Sequence, residues 1–280
     1  MREIDCRQIT EAIGRMCLKA NCLISPDIRA ALSRSGECET SELGREVLET
    51  LLRNAQVAEE QMIPICQDTG LAVVFVEIGQ EVHIVGGGLE EAINAGVAQG
   101  YQEGYLRKSV VADPIRRVNT GDNSPAVIHY QIVPGDRLKL TLAPKGFGSE
   151  NMSALKMLKP SQGLEGVKRL VTDTVAQAGP NPCPPIIVGV GVGGTMEKAA
   201  FLAKKSLLRP VGEFNDDPFW AEVEKDLLAE VNRLDIGPAG FGGRTTALGV
   251  HILTYPTHIA GLPVAVNIGC HVTRHAEEIL

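Results

Sequence analysis

Hydrophobic and polar positions follow two different periods along this chain. Over residues 41–58, apolar side chains recur every three or four positions with charged residues between them, which predicts an amphipathic helix. Helical spacing prevails over residues 1–60. Residues 71–78 then form a short apolar run, which predicts a buried strand. The N-terminal part is therefore expected to be mostly helical, with sheet beginning near residue 71.

The helical period returns at residues 89–105, where a second row holds only small residues and predicts close packing against another element. That row is Ala92, Gly96, Gly100 and Gly104. Further helices are predicted at 163–178, 195–206 and 218–234, the last with Asp217 as its N-cap and Pro218 in its first turn. Strands are predicted at 126–133, 137–143, 186–192, 246–254 and 262–268, and the turn residues 133–136 join the first two of them.

Helices and strands alternate loosely, which predicts a mixed α/β fold: a helical N-terminus followed by a Gly-rich α/β region that carries the chemistry. No repeat, linker or low-complexity stretch interrupts the pattern. We therefore expect a single domain that spans residues 1–280.

Composition and charge narrow the possible functions. The chain of 280 residues is 44% hydrophobic and 22% charged, as globular proteins are. Its net charge of −7 and its 4% of aromatic residues argue against a nucleic-acid surface, which needs positive charge and stacking rings. No apolar run reaches the roughly 18 residues of a membrane span, and no secretory signal opens the chain. We expect a cytoplasmic protein that binds neither nucleic acid nor membrane.

The seven cysteines are odd in number and lack a secretory context, so a disulfide framework is not expected. Cys66, Cys183 and Cys270 lie at the edges of predicted elements beside Pro or Gly, and rigid loops of this kind pre-position metal ligands. They are either metal ligands or three unconnected small residues, because no Cys-x-x-Cys spacing is present. Four others lie in the helical N-terminus and are expected to be structural: Cys6, Cys17, Cys22 and Cys38.

A dinucleotide fingerprint, Gly189-x-Gly191-x-x-Gly194, follows a predicted strand. The acidic residue expected after the next strand is missing, so a Rossmann site is disfavoured. The segment from Lys145 to Asn151 is not a phosphate loop because its lysine precedes the glycines. It is either an anion-binding turn or a plain tight turn.

Isolated basic side chains are the remaining candidates. A lone histidine such as His258 is more often a core or surface residue than a functional one. Arg107, Arg244 and Arg274 are solvated charges by default, although Arg107 and Arg274 lie close to glycine-rich turns or cysteine loops in the sequence.

Six segments that mix reactive side chains with Pro and Gly run in order from residue 64 to residue 276. They are Pro64-Ile-Cys66-Gln67-Asp68-Thr-Gly70, Lys145-Gly-Phe-Gly148-Ser-Glu-Asn151, Pro182-Cys183-Pro184, Gly240-Phe-Gly-Gly-Arg244-Thr-Thr-Ala-Leu-Gly-Val250, His258-Ile-Ala-Gly-Leu-Pro263 and Cys270-x-x-Thr-Arg-His275-Ala276. Together they resemble the class I fumarate hydratases, and more closely the separate alpha subunit of the two-subunit form, the tartrate dehydratase alpha type. Phe147 replaces a glycine often found in the second segment.

This resemblance implies a 4Fe–4S cluster held by Cys66, Cys183 and Cys270. Three thiolates leave one of the four irons open, where it can act as a Lewis acid. The resemblance also implies the residues that bind a dicarboxylate substrate, with Asp68 and His258 catalytic among them. These substrate-binding residues are Gln67, Asp68, Arg107, Gly148 and His258.

The expected function is therefore that of a hydro-lyase subunit that hydrates fumarate reversibly to malate. The alternative is the alpha subunit of an L-tartrate dehydratase. A nucleotide-dependent oxidoreductase and a non-catalytic cluster carrier are alternatives from other classes. Single-chain members of the family carry a second domain with a catalytic base, so the resemblance implies a beta subunit that completes the active site, in an α2β2 assembly.

Overall fold

The computed structural model describes residues 1–280 and has the mixed α/β fold that the sequence predicts. The chain divides into two compact units. The first comprises residues 1–24, 55–147 and 274–280, and the second comprises residues 25–54 and 148–273. The expectation of a single domain stays a prediction. None of the helices combines the length and apolar character needed to cross a bilayer.

The N-terminus is helical after one short strand. Strand β1 (Arg2–Asp5) leads into helices α1 (Cys6–Cys22), α2 (Pro26–Cys38) and α3 (Glu42–Gln61). Helix α1 begins directly after Asp5, its N-cap, because two side chains satisfy the amides at this end reciprocally. The Asp5 carboxylate accepts the Arg7 N–H at 2.8 Å, and the Gln8 side chain accepts the Asp5 N–H at 3.2 Å.

The first unit is built around a four-stranded sheet in the order β10–β5–β2–β4. These strands are β2 (Leu71–Gly79), β4 (Val127–Val133), β5 (Leu138–Lys145) and β10 (Ala276–Ile279). A separate strand, β3 (Val82–Val85), pairs in parallel with β1. Leu138, Leu140 and Leu142 of β5 are fully buried in one core with α1 and helix α4 (Leu89–Glu103). Each of these leucines stabilises the fold by roughly 1.5–3 kcal/mol.

Strands β4 and β5 follow one another in sequence but do not pair with each other. Strand β2 lies between them, parallel to β4 and antiparallel to β5. The connecting turn instead bonds to the end of β2, where the Gln80 and Glu81 amides donate to the carbonyls of Val133 and Gly135, both at 2.9 Å. The turn prediction is therefore correct, although the turn does not join a hairpin.

Helix α4 packs closely on α1 through its small residues, as predicted. A Cβ on Gly96 would lie 2.5 Å from the Thr10 carbonyl oxygen, and one on Gly100 would lie 2.7 Å from the Cys17 Cβ. The helix ends at Glu103, two residues before the predicted end. Tyr105 lies outside it with a positive φ of 50° and is exposed.

The second unit contains a four-stranded sheet in the order β6–β9–β7–β8. These strands are β6 (Ala154–Leu158), β7 (Ile186–Gly193), β8 (Ala247–Tyr255) and β9 (Leu262–Gly269), and helices α6 (Gly163–Ala178) and α8 (Pro218–Asn232) share a core with them. The remaining helices are α5 (Phe147–Glu150), α7 (Met196–Ser206) and two single 3-10 turns at Pro160–Gln162 and Pro238–Gly240. The predicted cap of α8 is confirmed, since the Asp217 carboxylate accepts the Phe219 N–H at 2.9 Å.

The glycines of the dinucleotide fingerprint lie mostly within β7, where every residue is buried. A side chain at Gly189 would collide with the carbonyl oxygen of Ala203, and one at Gly191 with that of Ala199. Both carbonyls belong to α7. These two glycines therefore let helix α7 pack directly on strand β7, which gives them a packing role.

Candidate functional site

The loop Pro64–Gly70 of the first unit connects α3 to β2 and carries three of the predicted site residues. Cys66 and Asp68 are half-buried, and Gln67 is exposed. The Cys66 sulfur lies 3.4 Å from the Asp68 N–H, which donates to it, and 3.4 Å from the Gln67 side-chain oxygen. The sulfur thus accepts one hydrogen bond from the main chain and donates another to Gln67, and both bonds fix its position in the loop.

The Asp68 carboxylate is held by two backbone amides. Its Oδ1 accepts the Gly70 N–H at 3.0 Å, and its Oδ2 accepts the Phe147 N–H at 2.9 Å. These two bonds join the first predicted segment to the second, Lys145–Asn151. Both carboxylate oxygens are therefore fixed by the main chain of this unit.

Buried side chains distant in sequence hold the same loop by its carbonyl oxygens. The Tyr101 hydroxyl donates to Thr69 O at 2.7 Å and to Gly70 O at 3.0 Å, and the Asn123 amide donates to Gly70 O at 3.2 Å. Arg274 donates to Asp68 O at 2.8 Å and to the Asn21 side chain at 3.1 Å. The loop is thus fixed by a network of buried polar groups, which is costly to disrupt.

Most of this network was not predicted from the sequence. Arg274 was expected to be a solvated charge, which is wrong: only 5% of it is exposed. Asn123 and Tyr101 are both completely buried. The residue type at position 123 is the only hint that the sequence offers. Asparagine tolerates the left-handed backbone better than most residues, and Asn123 adopts a φ of 66°.

Arg107 is exposed, as expected, but its main chain is tied to the loop Pro64–Gly70. The Thr69 hydroxyl donates to Arg107 O at 3.1 Å. The Asn123 side-chain oxygen accepts the amides of Ser109 and Val110 at 2.6 and 3.2 Å, while its nitrogen bonds to Gly70 O. Asn123 therefore fixes the Arg107 segment against the loop that carries Cys66 and Asp68.

In the second unit the loops that carry Cys183 and Cys270 adjoin. The His271 ring nitrogen Nδ1 lies 3.0 Å from Cys183 O, and it donates because a carbonyl can only accept. Cys270 directly follows β9, and the Thr273 amide and hydroxyl both donate to its carbonyl, at 2.9 and 2.8 Å. Two of the three predicted ligands therefore stand on neighbouring, well-fixed loops.

Cys183 is exposed and adopts a φ of 57°, in the left-handed region that L-residues rarely occupy. Prolines 182 and 184 flank it, and its amide donates to Pro180 O at 3.1 Å. Local strain of this kind is concentrated at functional positions. The cysteine is thus presented outward by a rigid loop, as the sequence predicts.

The structure places the other two predicted residues of this unit on the surface. Gly148 lies in α5, where an added Cβ would meet nothing nearer than Asn181 O at 3.7 Å. His258 lies between β8 and β9, is exposed, and accepts the Ala260 N–H at 3.2 Å through Nδ1. Neither contacts Cys183 or Cys270 through a hydrogen bond.

The donor set of the exposed and half-exposed cysteines suits an iron–sulfur group. Cys66, Cys183 and Cys270 lie in loops, whereas Cys6, Cys17 and Cys22 are buried and Cys38 ends helix α2. Burial raises the pKa of Cys17 to about 12, so that thiol stays protonated. No group of three His, Cys, Asp or Glu side chains is arranged around a single ion. Cluster thiolates bind separate irons and so need not meet at one point.

Comparison with known proteins identifies the class. The profile of the family described as fumarate hydratase (Fumerase) matches residues 10–278. The chain belongs to this family of hydro-lyases.

Two relatives in this family are similar to the chain over nearly its whole length. The chain is 41% identical over 279 residues to the "Putative L(+)-tartrate dehydratase subunit alpha" of Methanocaldococcus jannaschii, with 96% of each chain covered. It is 33% identical over 271 residues to the "L(+)-tartrate dehydratase subunit alpha" of Escherichia coli strain UTI89, covering 95% of this chain and 89% of the relative.

Proposed function

We propose that this chain is the cluster-binding alpha subunit of an L-tartrate dehydratase, which removes water from tartrate to give oxaloacetate. The supporting observation is the identity of 41% and 33%, over nearly the whole chain, to proteins named as alpha subunits of that enzyme. Reversible hydration of fumarate, the main expectation from the sequence, becomes the second candidate. It is supported by the description of the matching family.

The proposed cofactor is a 4Fe–4S cluster with Cys66, Cys183 and Cys270 as its protein ligands. When bound, the cluster supplies an open iron that acts as a Lewis acid on the substrate hydroxyl. Three features of the chain support this assignment: the amide directed at the Cys66 sulfur, the adjoining Cys183 and Cys270 loops, and the burial of most of the other thiols.

The chain's own residues would orient the substrate. The Arg107 guanidinium is exposed while its main chain is fixed, which suits a bidentate clamp on one carboxylate. The exposed Gln67 side chain, the Gly148 amide and the His258 imidazole are assigned hydrogen bonds to the substrate. Asp68 is assigned a positioning and orienting part, because both its oxygens already accept amides.

The fixed position of the Asp68 carboxylate also supports the need for a beta subunit. Elimination of water requires a base that takes a proton from the carbon next to the departing hydroxyl. Asp68 is the obvious candidate in this chain, but its two amide bonds fix it two residues from the proposed ligand Cys66, on the side of the substrate where the iron would bind. We therefore infer that the beta subunit supplies the base, in an α2β2 assembly with closed two-fold symmetry.

The substrate assignment is tested by anaerobic co-purification of the chain with its beta subunit, followed by assays on L-tartrate, D-tartrate, malate and fumarate. We expect turnover of L-tartrate to exceed that of fumarate and malate, and the alpha chain alone to be inactive. Faster turnover of fumarate would favour the second candidate. Strong turnover by the alpha chain alone would contradict the split active site.

The ligand assignment is tested by measuring iron and sulfide after anaerobic reconstitution. Cys66→Ala, Cys183→Ala and Cys270→Ala should each lose the intact cluster, whereas Cys38→Ala should retain it. Full cluster content in any of the first three variants would remove that residue from the ligand set.

The clamp is tested by Arg107→Lys, which keeps the charge but loses the planar fork. We expect a large loss of kcat/KM, with Arg117→Lys as the matched exposed control. Equal kcat/KM values for the two variants would show that Arg107 is an ordinary surface charge.

A further inference from the structure

A cavity of about 510 Å³ lies in the second unit, lined by side chains from three separate segments. Helix α2 contributes Arg34, the C-terminal cap of α8 contributes Arg233, and the Gly-rich segment after the second 3-10 turn contributes Arg244. The volume is typical of sites that hold small ligands. Folding thus gathers three arginines that are distant in sequence around one concave surface.

No acidic residue lines this cavity. All three arginines are exposed, and none of their guanidinium groups forms an ion pair or a hydrogen bond within the chain. The chain as a whole is acidic, with 34 Asp and Glu against 27 Lys and Arg. A surface of three unpaired arginines therefore departs from the average charge of the molecule.

The backbone under Arg244 is firmly built. The buried Glu39 carboxylate accepts the Arg244 N–H at 3.0 Å and the Thr245 N–H at 3.2 Å. The Asn232 side-chain oxygen accepts the amides of Thr246 and Ala247, both at 2.8 Å. The segment is therefore pre-organised, which reduces the entropy lost when it binds a ligand.

The charge of Glu39 does not neutralise the cavity. Its carboxylate faces the main chain of residues 40, 41, 244 and 245, and only 2% of Glu39 is exposed. The Asp235 carboxylate accepts the Gly243 N–H at 2.9 Å, so three guanidinium charges stand against two carboxylates. The field at the cavity mouth remains positive and attracts anions.

We propose that the Arg34–Arg233–Arg244 cavity binds a small oxyanion with at least two negative charges, carried on phosphate or carboxylate groups. Guanidinium groups pair with both kinds of group bidentately. Three guanidinium charges lining one cavity suit an anion that carries more than one negative charge. This site uses none of the residues assigned to the cluster or the substrate, so it does not depend on the proposed function.

The test is isothermal titration of the full-length chain with inorganic pyrophosphate and, separately, with tricarballylate, at fixed ionic strength. We expect saturable 1:1 binding of at least one of them. Arg34→Ala, Arg233→Ala and Arg244→Ala should each weaken it by about tenfold or more. Arg244→Lys should give an intermediate loss, because the charge remains and the fork is lost.

Two controls define the site. Arg169→Ala removes an exposed arginine of the same unit, and Arg107→Ala removes the cation of the proposed substrate site; neither should change pyrophosphate binding. Absence of saturable binding of either anion would overturn the proposal. Equal weakening by Arg169→Ala would show non-specific attraction, and loss only with Arg107→Ala would place the anion at the substrate site; both contradict it. Circular dichroism confirms that each variant folds.

Discussion

The loops that carry the candidate ligands are held in two different ways. In the first unit, the loop Pro64–Gly70 is fixed by buried side chains from remote positions, chiefly Tyr101, Asn123 and Arg274. In the second unit, flanking prolines, a strained φ and a turn closed by Thr273 shape the Cys183 and Cys270 loops locally, and one bond from His271 to Cys183 O joins the two loops.

This difference predicts different sensitivities to substitution. A loop held by remote buried groups loses several hydrogen bonds when one distant residue changes, and the stranded groups remain buried. A loop shaped by its own residues depends on backbone preferences, which contribute less per position. Substitutions in the two units test this difference, and they follow in order of decreasing expected effect on stability.

Asn123→Ala should have the largest effect. The Asn123 side chain bonds to Gly70 O and to the amides of Ser109 and Val110, and alanine would leave these groups without partners at a left-handed position. We expect a loss of about 3–5 kcal/mol in the free energy of unfolding by urea denaturation. Asn119→Ala, an exposed asparagine with two hydrogen bonds, should lose much less. Similar losses would show that Asn123 does not hold the loop.

Gly70→Ala tests the other end of the same loop. Gly70 has a φ of 76°, and an added Cβ would lie 2.7 Å from the Lys145 backbone nitrogen. We expect a loss of about 2–4 kcal/mol from strain and overpacking together. Gly121→Ala is the matched control, since its φ is 88° with nothing within 4 Å of the added Cβ. If the two variants melt at the same temperature, the close approach to Lys145 is unimportant.

Glu39→Gln tests the Gly-rich segment around Arg244 in the second unit. The Glu39 side chain, which is remote in sequence, holds this segment by its amides. Burial raises the pKa of Glu39, but the amides of Arg244, Ser41, Thr40 and Thr245 lower it more, so that it lies below its ordinary 4.5. A lowered pKa means that the ionised form stabilises the fold above pH 4.5 and that this contribution is lost as the pH falls further.

The wild type should therefore be more stable than Glu39→Gln by about 1–2 kcal/mol at pH 7. The difference should shrink as the pH falls below 4.5. Thermal unfolding from pH 7 to pH 3 measures it, with the exposed Glu37→Gln as the control. A difference that is independent of pH would contradict the part assigned to the carboxylate.

Glycine at position 183 should have the smallest effect on stability, and here glycine should be more stable than alanine. Glycine adopts a φ of 57° without strain, so this variant should be more stable than Cys183→Ala by about 0.5–1 kcal/mol in the absence of iron. At Cys38, the last residue of helix α2, glycine should instead be less stable than alanine. Equal stability of the two Cys183 variants would mean that its backbone is not strained.

The sequence predicted the long elements well, because each carries its own periodic pattern. Helices α4, α6, α7 and α8 and strands β2, β7, β8 and β9 lie within two or three residues of their predicted bounds. Four strands of four or five residues were not predicted: β1, β3, β6 and β10. Such short strands have too few positions to show a period and owe their existence to their partner strands.

The sequence by itself determined the class of the chain, because the cysteine segments and their Pro and Gly neighbours act locally. It also placed Cys183 correctly in a rigid loop. Only the tertiary structure decided that Arg274 is buried, that Asn123 joins the Arg107 segment to the Cys66 loop, and that Arg34, Arg233 and Arg244 share one cavity. These contacts join residues up to 253 positions apart, and no local pattern encodes which buried donor meets which acceptor.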